Sequence, residues 1–331
     1  MPASGTLPIE ILLMIVQHVP SANDLRSLRS VNKDFCNAAT PAAFRTVGAT
    51  NRRDSALGLV NLLESGLAKY VQEAIYRDAA ADENGHIVVA ADQDAGYGPT
   101  VEGTIVHAFS LGARLPSLLS LRFTFHPIFP MTFPPPVYPC ERYEALHFQV
   151  ALLLTVGGAA PRLRSLTLSN VTVSGADYLA AYESPAFYSA LLSLTHLRIR
   201  TAAATSVAES PSFRHIQFTG SWIFMTHTSM LSSAENLVSL TLETDIPLIS
   251  TPFDWDRVTL PRLKYLAFIS PGVTVGGEVG QLESFTERHD QLEWIDFGVD
   301  KVPWVRRTHA DPEDVSEYEI PPSVALTQAG K

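Results

Sequence analysis

Residues 161–168 read PRLRSLTL, and this short stretch carries the pattern that decides the fold. Leu166 and Leu168 are two positions apart and therefore point to one side of a β-strand. Leu163 lies three residues earlier, directly after the turn marked by Pro161. The stretch predicts a turn that leads into a short strand with one apolar face.

The same pattern, L-x-x-L-x-L with Phe or Ile accepted in the later positions, returns along the chain. Its six copies begin between 26 and 45 residues apart. A degraded seventh copy precedes them at Val71-x-x-Ala74-x-Tyr76. In chain order, the six copies are Leu118-x-x-Leu121-x-Phe123, Leu163-x-x-Leu166-x-Leu168, Leu194-x-x-Leu197-x-Ile199, Leu237-x-x-Leu240-x-Leu242, Leu263-x-x-Leu266-x-Phe268 and Leu292-x-x-Ile295-x-Phe297.

The segments between these strands can form helices. Helices are predicted within Tyr143–Thr155, Tyr178–Leu192 and Gln281–His289. A strand followed by a returning helix, repeated, stacks into a solenoid in which each unit buries its neighbour's face. The fold class is therefore predicted as α/β, with short parallel strands alternating with helices. Unrelated α/β strands are the alternative, and six copies in order favour the repeat.

The repeats resemble an irregular leucine-rich-repeat array. The Asn that usually follows the strand by three residues is absent, because Val171 occupies that position in the best copy and Asn170 lies one place early. Spacings of up to 45 residues indicate that some units carry insertions.

Three short helices are predicted within residues 7–47. Pro8 suits a first helical position, and Pro20 ends the first helix. Ser21 begins the second helix, and the third is expected to be interrupted at Thr40-Pro41. About 40 residues of this kind are too few to bury a core of their own, so another surface is expected to cover them.

This N-terminal stretch resembles an F-box of the fungal type. The resemblance rests on Leu7-Pro8, Glu10-Ile11-Leu12, Asp24-Leu25 and the closing Phe44-Arg45-Thr46-Val47. It departs from the family at Phe35, where many members carry Trp, and at Asn32, where many carry Cys.

An F-box implies binding to the Skp-type adaptor of a cullin-based (SCF) ubiquitin ligase, and through it to a cullin. The alternative is that the apolar residues only pack the three helices together. The residues that the resemblance assigns to the adaptor interface are Leu7, Pro8, Ile11, Leu12, Ile15, Leu25, Leu28, Val31 and Phe35.

The chain is thus divided into an F-box-like module over residues 1–47, a leucine-rich-repeat-like solenoid over 48–307 and an acidic, polar tail over 308–331. Two insertions could contact a substrate protein, or could simply pack on the array. Their candidate residues are Phe129, Phe133 and Tyr138 in the proline-rich insertion, and Trp255 between the fourth and fifth copies.

Charge and composition exclude several classes of protein. The net charge of −10 argues against nucleic-acid binding, which needs clustered Lys and Arg. Two cysteines cannot build a disulfide framework. No signal peptide is visible and the apolar run near Val150–Val156 is too short to cross a bilayer, so we expect no membrane partner and a cytoplasmic or nuclear location.

The sequence contains no recognisable catalytic or metal-binding constellation. Two histidines among apolar residues, His147 and His196, are interpreted as structural. We therefore expect no catalytic residues, no metal, no cofactor and no enzymatic activity. The expected function is a substrate-recognition adaptor of an SCF-type ligase, with an unknown protein as its substrate. The alternative is a repeat scaffold or ligand-binding protein outside any ligase.

Overall fold

The computed structural model describes residues 7–78, 99–125, 139–159, 162–171, 184–201, 231–244, 258–269, 279–296 and 304–305. The helices in these residues are α1 (Ile9–Gln17), α2 (Ala22–Leu28), α3 (Lys33–Ala43), α4 (Arg53–Glu64), α5 (Pro99–Ser110), α6 (Pro139–Ala159), α7 (Pro185–Ser193) and α8 (Val279–Arg288). The strands are β1 (Thr46–Thr50), β2 (Glu73–Arg77), β3 (Ser120–Thr124), β4 (Ser165–Val171), β5 (His196–Thr201), β6 (Ser239–Thr244), β7 (Tyr265–Ile269), β8 (Trp294–Asp296) and β9 (Trp304–Val305).

The strands form one sheet whose spatial order is the order of the chain. Strands β1 to β8 are parallel, and β9 closes the series antiparallel to β8. Helices α4 to α7 follow β1 to β4 in turn, and α8 lies between β7 and β8. The predicted α/β class, with parallel strands alternating with helices, is confirmed at this level.

Every copy of the repeat contributes one strand, and the register aligns equivalent positions across the sheet. The two apolar strand positions form continuous buried rows, because side chains two apart share one face. One row contains Val47, Ala74, Leu121, Leu166, Leu197, Leu240, Leu266 and Ile295. The second contains Ala49, Tyr76, Phe123, Leu168, Ile199 and Leu242.

The structure shows two repeat features that the sequence pattern does not. Phe44-x-x-Val47-x-Ala49 supplies β1 and so acts as a further copy ahead of β2. A buried residue also lies three positions before the first apolar residue of most copies, and its carbonyl accepts a hydrogen bond from that residue's N–H. These residues are Ala68, Leu115, Leu191, Ala234, Leu260 and His289.

A shared hydrogen-bond arrangement joins each strand entry to the preceding repeat. The carbonyl of Arg164, for example, accepts the N–H groups of Thr195 at 2.8 Å and His196 at 2.9 Å. The carbonyls of Arg45, Gln72, Leu119, Thr195, Val238 and Lys264 are used in the same way. Both lone pairs of one carbonyl are thereby satisfied, which fixes the register where each strand starts.

The helices cover one face of the sheet. Helices α4, α5, α6 and α7 pack side by side in chain order. Their buried residues share one core with the strand rows. Aromatic pairs link the two layers, with ring centroids 5.1 Å apart for Phe109 and Phe123, and 5.3 Å apart for Tyr76 and Phe148.

A short polar row follows the ends of the first strands. The Asn51 amide donates to the Asp78 carboxylate at 3.3 Å, and the Asn170 amide donates to the carbonyl of Phe125 at 3.0 Å. All three polar residues are buried, and Asn170 has a φ of 60°. Asn tolerates this left-handed conformation better than most residues. The early Asn noticed in the sequence thus hydrogen-bonds the backbone of the neighbouring repeat.

Some sequence expectations differ from the structure. Helix α3 continues through Pro41, so the interruption expected at Thr40-Pro41 is wrong. The Thr40 hydroxyl donates to the carbonyl of Cys36 at 2.6 Å, and the helix ends soon after the proline. The expected boundary between residues 47 and 48 falls inside β1. The sequence pattern gives no prediction for α5, and the tail over 308–331 lies outside the described residues.

Two helices approach closely at Gly157, near the end of α6. A Cβ added there would lie 2.3 Å from the Cβ of Ala186 in α7. Gly157→Ala should therefore destabilise the protein by about 1–3 kcal/mol through overpacking, although alanine normally favours a helix.

Gly103 in α5 offers a matched control, because an added Cβ would have no atom within 4 Å. Gly103→Ala should stabilise the protein by roughly 0.5–1 kcal/mol. Urea denaturation of both variants measures the two effects. Equal changes in the free energy of unfolding would contradict the close approach of α6 and α7.

His289 is a buried residue that links two successive repeats. Its Nε2 accepts a hydrogen bond from the backbone N–H of Leu260 at 2.8 Å, and its Nδ1 lies 2.6 Å from the carbonyl of Phe285. These partners require a neutral imidazole with the proton on Nδ1. Burial, the largest cause, lowers the pKa of His289 below its usual value.

Because the folded state disfavours protonated His289, the stability it contributes is present above the unfolded pKa of about 6.5 and is lost as the pH falls through the lower folded pKa. The free energy of unfolding should therefore decrease between neutral pH and pH 5 more steeply in the wild type than in His289→Gln. Urea midpoints of both proteins at each pH test this. Identical pH dependence would show that His289 does not need to be neutral.

Candidate functional site

The three N-terminal helices have a small core of their own. It is built from Leu12 and Val16 of α1, Leu25 of α2, and small residues of α3. The small residues of α3 are Ala38, Ala39 and Ala43. Small side chains on α3 let α1 approach closely, so only two residues of α1 are needed to fill the contact.

Arg29 joins the second helix to the third. Its Nε donates to the Thr40 hydroxyl at 2.9 Å, and its guanidinium lies 4.6 Å from the ring centroid of Phe44. A cation over an aromatic face is favourable, most of all where both groups are partly shielded from water. Phe44 lies two residues before β1, so this contact also fixes the point where the helices pass into the sheet.

Most of the apolar surface of α1 faces away from this core. In the part of the chain that the structure describes, eleven large apolar side chains are exposed, and seven of them lie between residues 7 and 31. They are Leu7, Ile9, Ile11, Leu13, Met14, Ile15 and Val31. Clustered exposed apolar residues of this kind are typical of surfaces that bind another protein.

The nine residues that the F-box resemblance assigns to adaptor binding do not share one environment. Leu7, Pro8, Ile11, Ile15 and Val31 are exposed, and Leu28 and Phe35 are partly buried. Leu12 and Leu25 are buried inside the module, with exposures of 3% and 6%. A partner could therefore contact the exposed residues directly, whereas Leu12 and Leu25 hold the helices together.

Sequence reasoning missed three exposed residues of α1, which are Ile9, Leu13 and Met14. Their signal was present, because the apolar run Ile11–Val16 extends beyond the width of one helical face. When a helix has apolar side chains on nearly all sides, a single packing surface cannot bury them all.

The face of the sheet turned away from the helices forms a second candidate surface. Its central strands carry Ser165, Thr167 and Ser169 on β4, with Arg122 opposite Thr167 on β3 and Arg198 opposite it on β5. Among the described residues, four ion pairs lie along this side of the sheet: Arg122–Glu73 at 3.2 Å, Arg198–Glu243 at 2.9 Å, Arg200–Glu243 at 3.5 Å and Lys264–Glu293 at 2.7 Å.

Glu293 organises the last of these contacts. Its hydrogen bond with Lys264 is the largest cause that raises the pKa of that lysine. The Tyr265 hydroxyl donates to the same carboxylate at 3.1 Å, and burial followed by this hydrogen bond raises the pKa of Tyr265. Both side chains thus keep their protons at neutral pH.

The two histidines interpreted as structural are exposed instead. His147 lies on the solvent side of α6, and His196 lies on the open face of β5. Partial desolvation against its neighbours lowers the pKa of His196. The buried structural histidine is His289, which the sequence analysis did not single out because it follows a helix rather than an apolar run.

The candidate substrate-contacting residues Phe129, Phe133, Tyr138 and Trp255 lie outside the described residues. Within the described ranges, no group of three His, Cys, Asp or Glu side chains is placed to hold a metal ion. The described helices also include none with the length and apolar character needed to cross a membrane.

No protein-family model matches the chain, and a search of curated proteins finds no relative.

The different environments of Leu12 and Ile15 can be tested directly. Leu12→Ala should destabilise α1–α3 by about 2–5 kcal/mol, because it leaves a cavity in the module core. Ile15→Ala removes a side chain that is 37% exposed and should change stability by no more than about 0.5 kcal/mol. Hydrogen exchange of the amides in residues 9–43 reports both values, and equal effects would show that α1 packs in another orientation.

Proposed function

We propose that this protein is the substrate-recognition subunit of an SCF-type ubiquitin ligase. In this proposal α1–α3 are an F-box that binds a Skp-type adaptor, and the sheet with its helices is a leucine-rich-repeat solenoid that holds a target protein. The observation that carries the proposal is the exposed apolar surface of α1, which lies on a module whose own core is already filled.

The packing of α1 supports a partner of this kind. Two of its residues suffice for the internal core, yet Ile9, Ile11, Leu13, Met14 and Ile15 are all 37–55% exposed. Removing such side chains from water stabilises an interface by roughly 25 cal/mol for each Å² buried. A few apolar anchors at the centre of an interface usually supply most of its affinity.

The repeat architecture supports the second half of the proposal. Strands in chain order with aligned apolar rows are the arrangement that stacked leucine-rich units would produce. The backbone hydrogen bonds between Arg45 and the N–H groups of Gln72 and Glu73 connect the start of the array to the end of the helical module. A bound target would thus be held at a defined distance from the adaptor, and proximity favours transfer.

A pull-down of the full chain with a purified Skp-type adaptor tests the first half. Ile11→Asp and Ile15→Asp should each weaken binding at least about tenfold, because the interface would bury an unpaired charge. Leu57→Asp on α4 is the matched control, since Leu57 is similarly exposed at 44% but lies in the repeat region. It should leave binding unchanged.

Circular dichroism must show that each variant is folded. Leu12→Asp is unsuitable for this purpose, because Leu12 belongs to the module core and its loss would unfold the helices. A folded wild-type chain that binds no adaptor would contradict the ligase proposal and favour a repeat scaffold instead.

A further inference from the structure

A strip of small side chains lies on the open face of the sheet, along β4. The residues of β4 that point to this face are all small and hydroxylated: Ser165, Thr167 and Ser169. Larger side chains flank this strip at two levels only: Arg122 on β3 and Arg198 on β5 lie opposite Thr167, and His196 on β5 lies opposite Ser165, whereas β3 carries Ser120 opposite Ser165 and Thr124 opposite Ser169. We call this strip the groove, with β4 as its floor and these larger residues as its walls. Arg122 forms the wall on β3, and His196 with Arg198 forms the wall on β5.

Each wall carries an arginine, although the chain as a whole has a net charge of −10. Arg122 and Arg198 are separated by a single strand, and neighbouring strands lie about 4.8 Å apart, so their Cα atoms are about 10 Å from each other. That width admits one extended segment over β4. Arg122 is paired with Glu73, and Arg198 and Arg200 are both paired with Glu243, so three arginines share two carboxylates.

Both groove arginines are held in place but retain donors. The side chain of Arg122 is 46% exposed, and its Nη2 contacts Glu73 at 3.2 Å. The side chain of Arg198 is 35% exposed, and its Nη2 contacts Glu243 at 2.9 Å. A guanidinium has five N–H donors, so one contact of this kind leaves N–H groups on Nη1 and Nη2 for a second anion, while the Nε of Arg198 is buried and does not contribute.

We propose that this groove binds an acidic segment of a partner protein, whose Asp or Glu carboxylates are received by Arg122 and Arg198 above the hydroxyl floor of β4. The assignment rests on the proposed function only in taking this partner to be the ligase substrate. A carboxylate suits the groove better than a phosphate dianion, because Glu73 and Glu243 already offset much of the local positive charge.

The geometry also predicts which side chains of such a segment would contact the groove. In an extended chain alternate side chains share a face, so every second residue of the partner would point into the groove. Hydroxyls of Ser165 and Thr167 would donate to the same carboxylates between the two arginines. The segment would then lie along β4, and Arg122 and Arg198 would bind its carboxylates from either side.

Fluorescence anisotropy with the full chain tests this without the adaptor. The probes are a labelled peptide of alternating Glu and Ser, its Gln and Ser counterpart, its phosphoserine and Gly counterpart, and a single-stranded oligonucleotide of equal charge. The Glu peptide should bind at least about tenfold more tightly than the Gln peptide, and added salt should weaken it.

Arg122→Gln should reduce binding of the Glu peptide about tenfold. Arg53→Gln is the matched control, because Arg53 is exposed at the start of α4 and should leave binding unchanged. Arg198→Gln could disturb Glu243 and hence folding, so Thr167→Glu provides the second test by placing a negative charge on the floor.

Loss of Glu-peptide binding in both Arg122→Gln and Thr167→Glu, with Arg53→Gln unaffected, supports the groove. Equal binding of the Glu and Gln peptides, no binding at millimolar concentration, or insensitivity to both groove variants overturns it. Tighter binding of the phosphoserine peptide or of the oligonucleotide also overturns it. Failure here would leave adaptor binding intact, so the two proposals fail separately.

Discussion

The hydrogen bond between each strand entry and the preceding repeat is the constraint on which the rest of the structure depends. One backbone carbonyl, such as that of Lys264, accepts the N–H groups of two successive residues, Glu293 and Trp294. This pairing sets where every strand begins relative to its neighbour. A slip of one residue would turn the buried leucine rows toward solvent, because side chains alternate along a strand.

Because this hydrogen bond fixes the register, the segments between copies can differ in length. Spacings of 26 to 45 residues all return to the same register, and the buried rows continue from strand to strand whatever the spacing. The contacts between neighbouring repeats also differ from place to place. Helix α6 approaches α7 closely at Gly157, and the buried His289 accepts a hydrogen bond from the N–H of Leu260. Each belongs to one junction between neighbouring repeats.

The two candidate surfaces arise from different properties of the chain. The surface on α1 is apolar because the helix uses only Leu12 and Val16 for its own core. The groove over β4 is polar because alternate strand positions are free of core packing and can carry serine, threonine and arginine. The chain thus carries an exposed apolar surface on α1 and a polar surface with paired charges on the sheet.

The sequence by itself determined the repeat and its strands, because burial on one face forces leucine into positions two and three apart. It also marked the apolar run in residues 7–47. Only the tertiary structure separated Leu12 and Leu25, which are core residues, from Ile11 and Ile15, which are exposed, since periodicity cannot tell which side of an all-apolar helix is covered. Likewise, Arg122 lies 45 residues before Thr167 and Arg198 lies 31 residues after it, and only the register of the parallel strands brings them together.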